Sequence, residues 1–157
     1  IKNNLRSWQN NIGYISQSIY LTDDSILKNI AIGIEESLIN LSVVKKVIKL
    51  AQLKKFIDSL ENGLNTKVGE RGVQLSGGQR QRIGIARALY HNPGVIVFDE
   101  ATSALDMKTE EGIIDSIRLL KGKKTIIIVS HRHSSLIDCD KIYSLIDGKV
   151  IESNIIK

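Results

Sequence analysis

The sequence predicts an α/β fold with a core of parallel strands, a helical subdomain and a C-terminal β-hairpin. Apolar runs of strand length alternate with helical patterns along the chain. Two of these runs, residues 95–98 and 125–129, are almost wholly apolar, which is typical of parallel strands that helices cover on both faces. With 157 residues, of which 42% are hydrophobic, the chain can bury the core of about one domain.

In the first half, the patterns predict one strand followed by short helices. Residues 12–15 form an apolar strand that leads into a polar loop containing Gln17. Ser25 ends a Thr-Asp-Asp-Ser run that can cap a short helix. Helical spacing returns in two pieces over residues 42–60, and the irregular residues 63–72 predict a loop.

In the second half, helices and strands alternate. A helix is predicted from near Gly78 to about Tyr90, with three arginines on its polar face: Arg80, Arg82 and Arg87. The strand at residues 95–98, the helical pattern after it and the strand at residues 125–129 predict a right-handed crossover unit. The Asp147-Gly148 pair, which lies between two apolar runs, predicts a hairpin with a type I′ turn.

The charge and composition restrict the partners. A formal charge of +5 favours an anionic partner such as nucleic acid, a membrane surface or a nucleotide phosphate, with a solvated basic face as the alternative. The single cysteine, Cys139, excludes an internal disulfide. The apolar runs are far shorter than the roughly 20 residues that span a bilayer. Because the chain begins with Ile1, we expect that further residues precede it.

Adjacent glycines open the predicted helix near residue 78. Residues 75–79 read Leu-Ser-Gly-Gly-Gln. Gly77 and Gly78 lack Cβ atoms and allow an anion to approach the backbone, and the helix directs its free amides toward that anion. Ser76 adds a hydroxyl donor. These residues, together with Gln79, predict an anion site, with an ordinary helix start as the alternative.

An acid pair ends the first buried strand. Asp99 and Glu100 follow residues 95–98, at the edge of a parallel sheet where ligands bind. One carboxylate can hold Mg²⁺ through water, and the next can orient or deprotonate an attacking water. His131 follows the next strand, so we expect it at the same edge as Glu100. The alternative is that the acids only cap a turn.

Taken together, these motifs resemble the nucleotide-binding, or ATPase, domain of ABC transporters. Residues 75–79 resemble the signature motif, residues 95–100 the Walker B strand and residues 103–106 the D-loop. Gln17 is similar to the Q-loop glutamine, and His131 is similar to the switch histidine. All five motifs stand in the order that the family has.

The resemblance implies a role for each of these residues. Glu100 would act as the general base, and His131 would hold the γ-phosphate of ATP. Asp99 would support Mg²⁺, and Gln17 would contact Mg²⁺ or the attacking water. A second group would face ATP bound to a second ABC ATPase domain or lie at that interface: Ser76, Gly77, Gly78, Gln79 and Asp106.

The resemblance also implies a domain organisation and partners. Residues 1–24 and 91–157 would form an incomplete P-loop NTPase-like core, and residues 25–90 would form the helical subdomain. The partners would be the second ATPase domain and a transmembrane domain at the cytoplasmic face of the membrane, with no nucleic acid. Residues 66–72 resemble the X-loop of exporters, although Lys67 stands where exporters often have an acid.

The 157 residues contain no P-loop, whose pattern is Gly, four residues, then Gly-Lys-Ser/Thr. In the family the P-loop precedes the Q-loop, so the resemblance implies that this chain starts after it. Without a P-loop, we expect the chain alone to bind ATP very weakly and to hydrolyse none. We also expect the sheet edge left exposed by the absent strand to promote aggregation.

Other functions stay open at this point. A non-transport ABC ATPase of the DNA-repair or translation type fits the positive charge, but residues 25–75 lack the sustained heptads of a coiled-coil insertion. A further alternative is that the chain, on its own, acts only as a structural or folding fragment. Residues 20–31 resemble exporters that flip lipids or lipid-linked glycans, which favours an exporter.

Overall fold

The chain folds around a three-stranded parallel sheet, as the computed structural model shows. The structure describes residues 2–70, 73–103, 105 and 107–153. The elements follow in the order α1 (Lys2–Asn10), β1 (Ile12–Ile15), α2 (Ile26–Ile30), α3 (Leu41–Leu50), α4 (Lys54–Asp58), α5 (Gly77–Tyr90), β2 (Val95–Asp99), α6 (Met107–Arg118), β3 (Thr125–Val129), β4 (Ile142–Ile146) and β5 (Lys149–Ser153). Short 3₁₀ helices occur at Glu36–Leu38, Gly63–Asn65 and His133–Leu136. The predicted α/β class is confirmed.

The sheet has the order β1-β2-β3, and both strand pairs are parallel. Ile15 pairs with Phe98, and Asp99 pairs with Val129. The carboxyl ends of the three strands therefore meet at one edge, because parallel strands in register end at the same level. The segments that follow these ends carry Gln17, Glu100 and His131.

One face of the sheet is covered much better than the other. Ile15, Ile96 and Phe98 are buried on the face that packs against α5 and the rest of the core. On the opposite face, Ile127 is 49% exposed and Val129 is 47% exposed. The prediction that residues 125–129 are covered on both faces is wrong: the side chains of β3 alternate between the two faces, and those on the open face have no helix of the described residues packed over them.

Helix α5 connects the sheet to the other helices. It begins with Ser76 as its N-cap and contacts β1, α2, α3 and α6. The predicted apolar face of this helix, which includes Ile83 and Leu89, is buried. Arg87, which the sequence placed on the polar face, is half-buried and donates hydrogen bonds from Nε to the Asn29 carbonyl (2.8 Å) and from Nη1 to the Tyr20 carbonyl (2.9 Å). Burial lowers the pKa of this guanidinium.

The short helix α2 is held by a buried amide. Ser25 caps the helix, as predicted, by accepting from the Lys28 amide. Asn29 is fully buried; its Oδ1 accepts from the Thr22 amide (3.0 Å), and its Nδ2 donates to the Thr22 carbonyl (3.0 Å). The predicted irregular loop also attaches here, since the Val68 amide donates to the Asp24 carbonyl (2.9 Å).

The C-terminal hairpin forms as predicted. Strands β4 and β5 are antiparallel, and Ile146 pairs with Lys149. Asp147 (φ 49°) and Gly148 (φ 73°) both have left-handed backbone, as a type I′ turn requires. Helix α1 was not predicted. None of the helices in the described part of the chain is both long and apolar enough to cross a bilayer.

Candidate functional site

The acid pair and the histidine meet at the carboxyl edge of the sheet. The Glu100 amide donates to the Val129 carbonyl (2.9 Å), which fixes Glu100 beside the end of β3. Glu100 has φ +48°, a left-handed conformation that is uncommon for a residue with a side chain. The His131 Nε2 atom lies 3.0 Å from Glu100 Oε1. The His131 side chain is 89% exposed, so a ligand can reach this pair from solvent.

Asp99 has a partner that the sequence reasoning missed. The Tyr14 hydroxyl donates a hydrogen bond to Asp99 Oδ2. This hydrogen bond, with smaller contributions from burial and from the negative charge of Asp99, raises the pKa of Tyr14. The strand register contains the signal: Tyr14 pairs with Val97, so it lies on the same face of the sheet as Asp99, two residues further along β2.

Gln17 is connected to the acid pair through a serine. Its Nε2 donates to Ser103 Oγ (2.9 Å), and Ser103 Oγ donates to the Glu100 carbonyl (2.9 Å). The loop that carries Gln17 is held by Gln81, which donates to the Ser16 carbonyl (3.0 Å). The structure therefore places Gln17, Asp99, Glu100 and His131 at one edge of the sheet.

The start of α5 has a reciprocal cap. The Gln79 amide donates to Ser76 Oγ (3.2 Å), and the Ser76 amide donates to Gln79 Oε1 (2.8 Å). This capping box leaves the Ser76 hydroxyl hydrogen available as a donor, while the Gln79 side chain is engaged in the helix itself. The side chains of Ser76 and Gln79 thus first stabilise the helix start.

The adjacent glycines differ in their surroundings. Gly77 is exposed, and a Cβ built on it would meet only Leu105 Cδ2, at 3.4 Å. Gly78 is buried, and a Cβ there would lie 2.1 Å from Thr109 Cγ2. Gly77 therefore leaves room for an approaching ligand, whereas Gly78 is required by the packing of α5 on α6, a reason that the sequence did not reveal.

A cleft of about 230 Å³ lies between the start of α5 and the loops that follow β1 and β2. Gln17 and Ala101 line it from the sheet side, and Gly77 and Arg80 line it from α5. The cleft thus brings Gln17, from the sheet edge, close to Gly77, from the start of α5. Asp106, the remaining predicted site residue, lies outside the described residues.

A buried carboxylate behind the edge was also missed. Glu110, on α6, accepts from Arg132 Nη1 at Oε2 (2.6 Å) and from Ser134 and Ser135 at Oε1 (2.8 and 3.0 Å). Burial by itself raises the pKa of Glu110, but hydrogen bonds from Ser134, Arg132 and Ser135 and the charge of Arg132 outweigh it and hold the pKa below its usual value. A Glu and an Arg separated by 22 residues gave no sequence signal.

The donor atoms near Asp99 have the chemistry that Mg²⁺ prefers. Asp99 supplies carboxylate oxygens and Gln17 an amide oxygen, and Mg²⁺ binds through one or two such oxygens together with water and phosphate. Within residues 2–70, 73–103, 105 and 107–153, no cluster of three or more acids, histidines or cysteines could hold a metal by itself. The residues therefore fit Mg²⁺ that arrives with a phosphate ligand.

The chain is similar to proteins of known class over nearly its whole length. The sequence pattern described as ABC transporter matches residues 1–103. The Multidrug resistance protein 1 of Entamoeba histolytica is 41% identical over 150 residues, which are 95% of this chain and 12% of that protein. The ATP-dependent lipid A-core flippase of Vibrio parahaemolyticus is 40% identical over 148 residues, which are 94% of this chain and 25% of that protein.

The solved structures include a similar fold. A bacterial Atm1-family ABC exporter with ATP bound superposes with a TM-score of 0.79 at 40% sequence identity, and the match covers 92% of this chain and 25% of the exporter. This chain thus spans a quarter or less of the length of the proteins it matches. The sequence match, the relatives and the shared fold agree: the chain belongs to the ABC transporter family.

Proposed function

We propose that the chain is part of the ATP-hydrolysing domain of an ABC exporter and couples ATP hydrolysis to substrate export or to the flipping of a lipid or glycolipid. One observation carries the proposal: the Nε2 atom of His131 lies 3.0 Å from Oε1 of Glu100. Glu100 is the residue directly after strand β2. An acid at this edge, oriented by a histidine, is suited to activate a water for attack on a phosphate.

Each residue at the edge has a separate task in this proposal. Glu100 orients and deprotonates the attacking water, and His131 donates to the γ-phosphate. Asp99 and Gln17 hold Mg²⁺, which neutralises charge on the phosphates when it is bound. Because Tyr14 donates to Oδ2 of Asp99, Oδ1 is the oxygen that would hold Mg²⁺, directly or through water.

The start of α5 serves a second ATPase domain. Gly77 is exposed at the helix N-terminus, where free amides attract anions. Ser76, Gly77, Gly78 and Gln79 complete the site of ATP held by the second domain, and Asp106 lies at the interface between the two domains. ATP is thus held between two domains that are arranged head to tail.

The other partner is a transmembrane domain at the cytoplasmic face of the membrane. Relatives named as a flippase and as a multidrug resistance protein support export rather than DNA repair or translation. These 157 residues contain no P-loop, so hydrolysis needs a P-loop that they do not supply to hold the phosphates. On their own they are inactive.

Glu100→Gln tests the proposed hydrolysis. The assay uses a flippase chimera, in which this chain replaces the matching 148 residues of the Vibrio parahaemolyticus flippase. Loss of a general base should cut ATP turnover by about 10²–10⁴-fold while ATP binding is retained. Glu111→Gln, at an exposed acid on α6, is the matched control and should leave turnover unchanged. Undiminished turnover in Glu100→Gln would refute the assignment.

Calorimetry on the 157-residue chain tests its dependence on a P-loop. Titration with MgATP should give no measurable heat at micromolar ligand, because the groups that cradle the β- and γ-phosphates are absent. A micromolar dissociation constant would contradict this part of the proposal.

A further inference from the structure

Glu110 contacts two loops at the carboxyl edge of the sheet: the loop after Glu100 and the loop after His131. The residue is 5% exposed, and its carboxylate collects donors from two segments. Ser134, Ser135 and Arg132 follow His131 in the chain, while Thr102 follows Glu100 and donates from Oγ1 to Glu110 Oε1 (3.4 Å). The carboxylate thus contacts the segment after the histidine and the segment after the acid pair.

Arg132 completes this connection. Besides its bond to Glu110, its Nη1 donates to the Leu105 carbonyl (3.1 Å), and its Nη2 donates to the Ser103 carbonyl (2.8 Å). One guanidinium therefore fastens the residue next to His131 onto the loop that follows Glu100. The planar guanidinium, with five donors in a fixed arrangement, is well suited to serve acceptors on two elements at once.

We infer that Glu110 is a positioning residue for hydrolysis: it fixes the direction from which His131 meets Glu100 and the γ-phosphate. His131 lies between Ser130, at the end of β3, and Arg132, whose side chain is held by Glu110. Since the His131 ring itself is exposed, its direction depends on these two neighbours. This inference rests on the proposed function of Glu100 and His131.

A role in stability alone predicts a different outcome. Loss of the Glu110 carboxylate also costs stability, because Arg132, whose side chain is 36% exposed, loses its counter-charge. A role in stability alone would therefore lower turnover by the same factor with and without His131. The donors on Glu110 come from the two segments that carry the reacting residues. Loss of the carboxylate should therefore affect the rate of hydrolysis through His131, and a displacement of about 1 Å in a reacting group can cost about 10²-fold in rate.

The first experimental arm uses the 157-residue chain and needs no activity. Hydrogen–deuterium exchange is measured in the unmodified chain, in Glu110→Gln and in the control Glu111→Gln. Glu110→Gln should speed exchange in residues 100–105 and 130–136 together, and Glu111→Gln should change neither segment. Unchanged exchange in Glu110→Gln would overturn the inference.

The second arm measures turnover in the flippase chimera. Glu110→Gln should lower kcat by about 10- to 100-fold with less than about twofold change in the KM for ATP. In a His131→Ala background the same substitution should change kcat by less than about twofold, because the effect passes through His131. Equal losses in both backgrounds would overturn the inference.

A milder variant covers the case in which Glu110→Gln does not fold. Ser134→Ala removes one donor to Glu110 and should lower kcat by about twofold or more, again only when His131 is present. The same loss in both backgrounds would overturn the inference. An unmodified chimera without ATPase activity would refute the proposed function instead, and the exchange arm would then decide whether Glu110 holds the two loops together.

Discussion

Replacement of Gly78 by alanine should destabilise the protein through packing alone. The added Cβ would lie 2.1 Å from Thr109 Cγ2, whereas the next nearest atoms, Cβ and Oγ1 of the same threonine, would be at 3.4 and 3.5 Å. The clash is therefore with a single methyl group on α6. Thr109 is β-branched, so turning that methyl group away about χ1 also moves the Thr109 hydroxyl to a new position.

The magnitude follows from two opposing terms. Forcing a methyl group into a packed site typically costs about 1–3 kcal/mol. Alanine in place of glycine returns up to about 1 kcal/mol in a helix interior, and less in the first turn, where Gly78 lies. The free energy of unfolding should fall by about 1–2 kcal/mol. For a chain of this length that corresponds to a decrease in Tm of about 3–6 °C.

Thermal and urea unfolding of four variants of the 157-residue chain measure this effect. Gly77→Ala, which meets only Leu105 Cδ2 at 3.4 Å, should shift the unfolding free energy by less than about 0.5 kcal/mol. Thr109→Ser removes the offending methyl group and keeps the hydroxyl, so Gly78→Ala should cost less than about 0.5 kcal/mol in that background. Two results would contradict the predicted clash: Gly78→Ala lowers the unfolding free energy no more than Gly77→Ala, or it lowers that energy as much in the Thr109→Ser background as in the unmodified chain.

Further predictions concern the buried amide, the buried carboxylate and the open sheet face. Asn29→Ala should lower the free energy of urea unfolding by about 2–4 kcal/mol, because it leaves the Thr22 backbone unpaired; a loss below about 1 kcal/mol would contradict this. The folded pKa of Glu110 lies below its ordinary value of 4.5, so its contribution to stability is present above that pH and lost as the pH falls. Below pH 4.5, the unfolding free energy of Glu110→Gln should therefore depend less on pH than that of the unmodified chain. Parallel plots of unfolding free energy against pH for the two proteins would contradict this prediction. Replacing Ile127 and Val129 by lysine should reduce aggregation, measured by light scattering, with little change in Tm. Unchanged scattering would show that the open face of the sheet does not cause aggregation.

The acid edge could be predicted from the sequence because it depends on chain order. An apolar run that ends in Asp99 and Glu100, and another that is followed by His131, need only a parallel register to bring the acids and the histidine together. The structure has that register. The start of α5 and the C-terminal hairpin could also be predicted from the sequence. Ser76 is a local signal for a helix cap, and Asp147-Gly148 is a local signal for a turn.

The remaining features depend on contacts between residues distant in the chain. Tyr14 and Asp99 are 85 residues apart, and their hydrogen bond needs the register of two strands. The contact of Gly78 with Thr109 needs the packing of two helices. For residues 125–129, apolar composition indicated a buried strand, but composition does not reveal whether other elements cover both faces of the sheet.

Helix α1 was missed for a different reason. Residues 2–10 are mostly polar, and their helical signal consists of two apolar residues, Leu5 and Trp8, spaced by three. So short a pattern does not predict a helix from the sequence alone. Side-chain networks such as that of Glu110 with Arg132 were likewise invisible, because each residue alone reads as an ordinary surface charge.

The most direct test of a site shared between two copies is complementation in pairs of differently tagged flippase chimeras. One pair carries Glu100→Gln on one copy and Ser76→Arg on the other. The second pair carries both substitutions on one copy, beside an unmodified partner. A site built from the acid edge of one copy and the α5 start of the other remains intact only in the first pair. We therefore predict ATP turnover in the first pair and almost none in the second, and the reverse pattern would contradict the account.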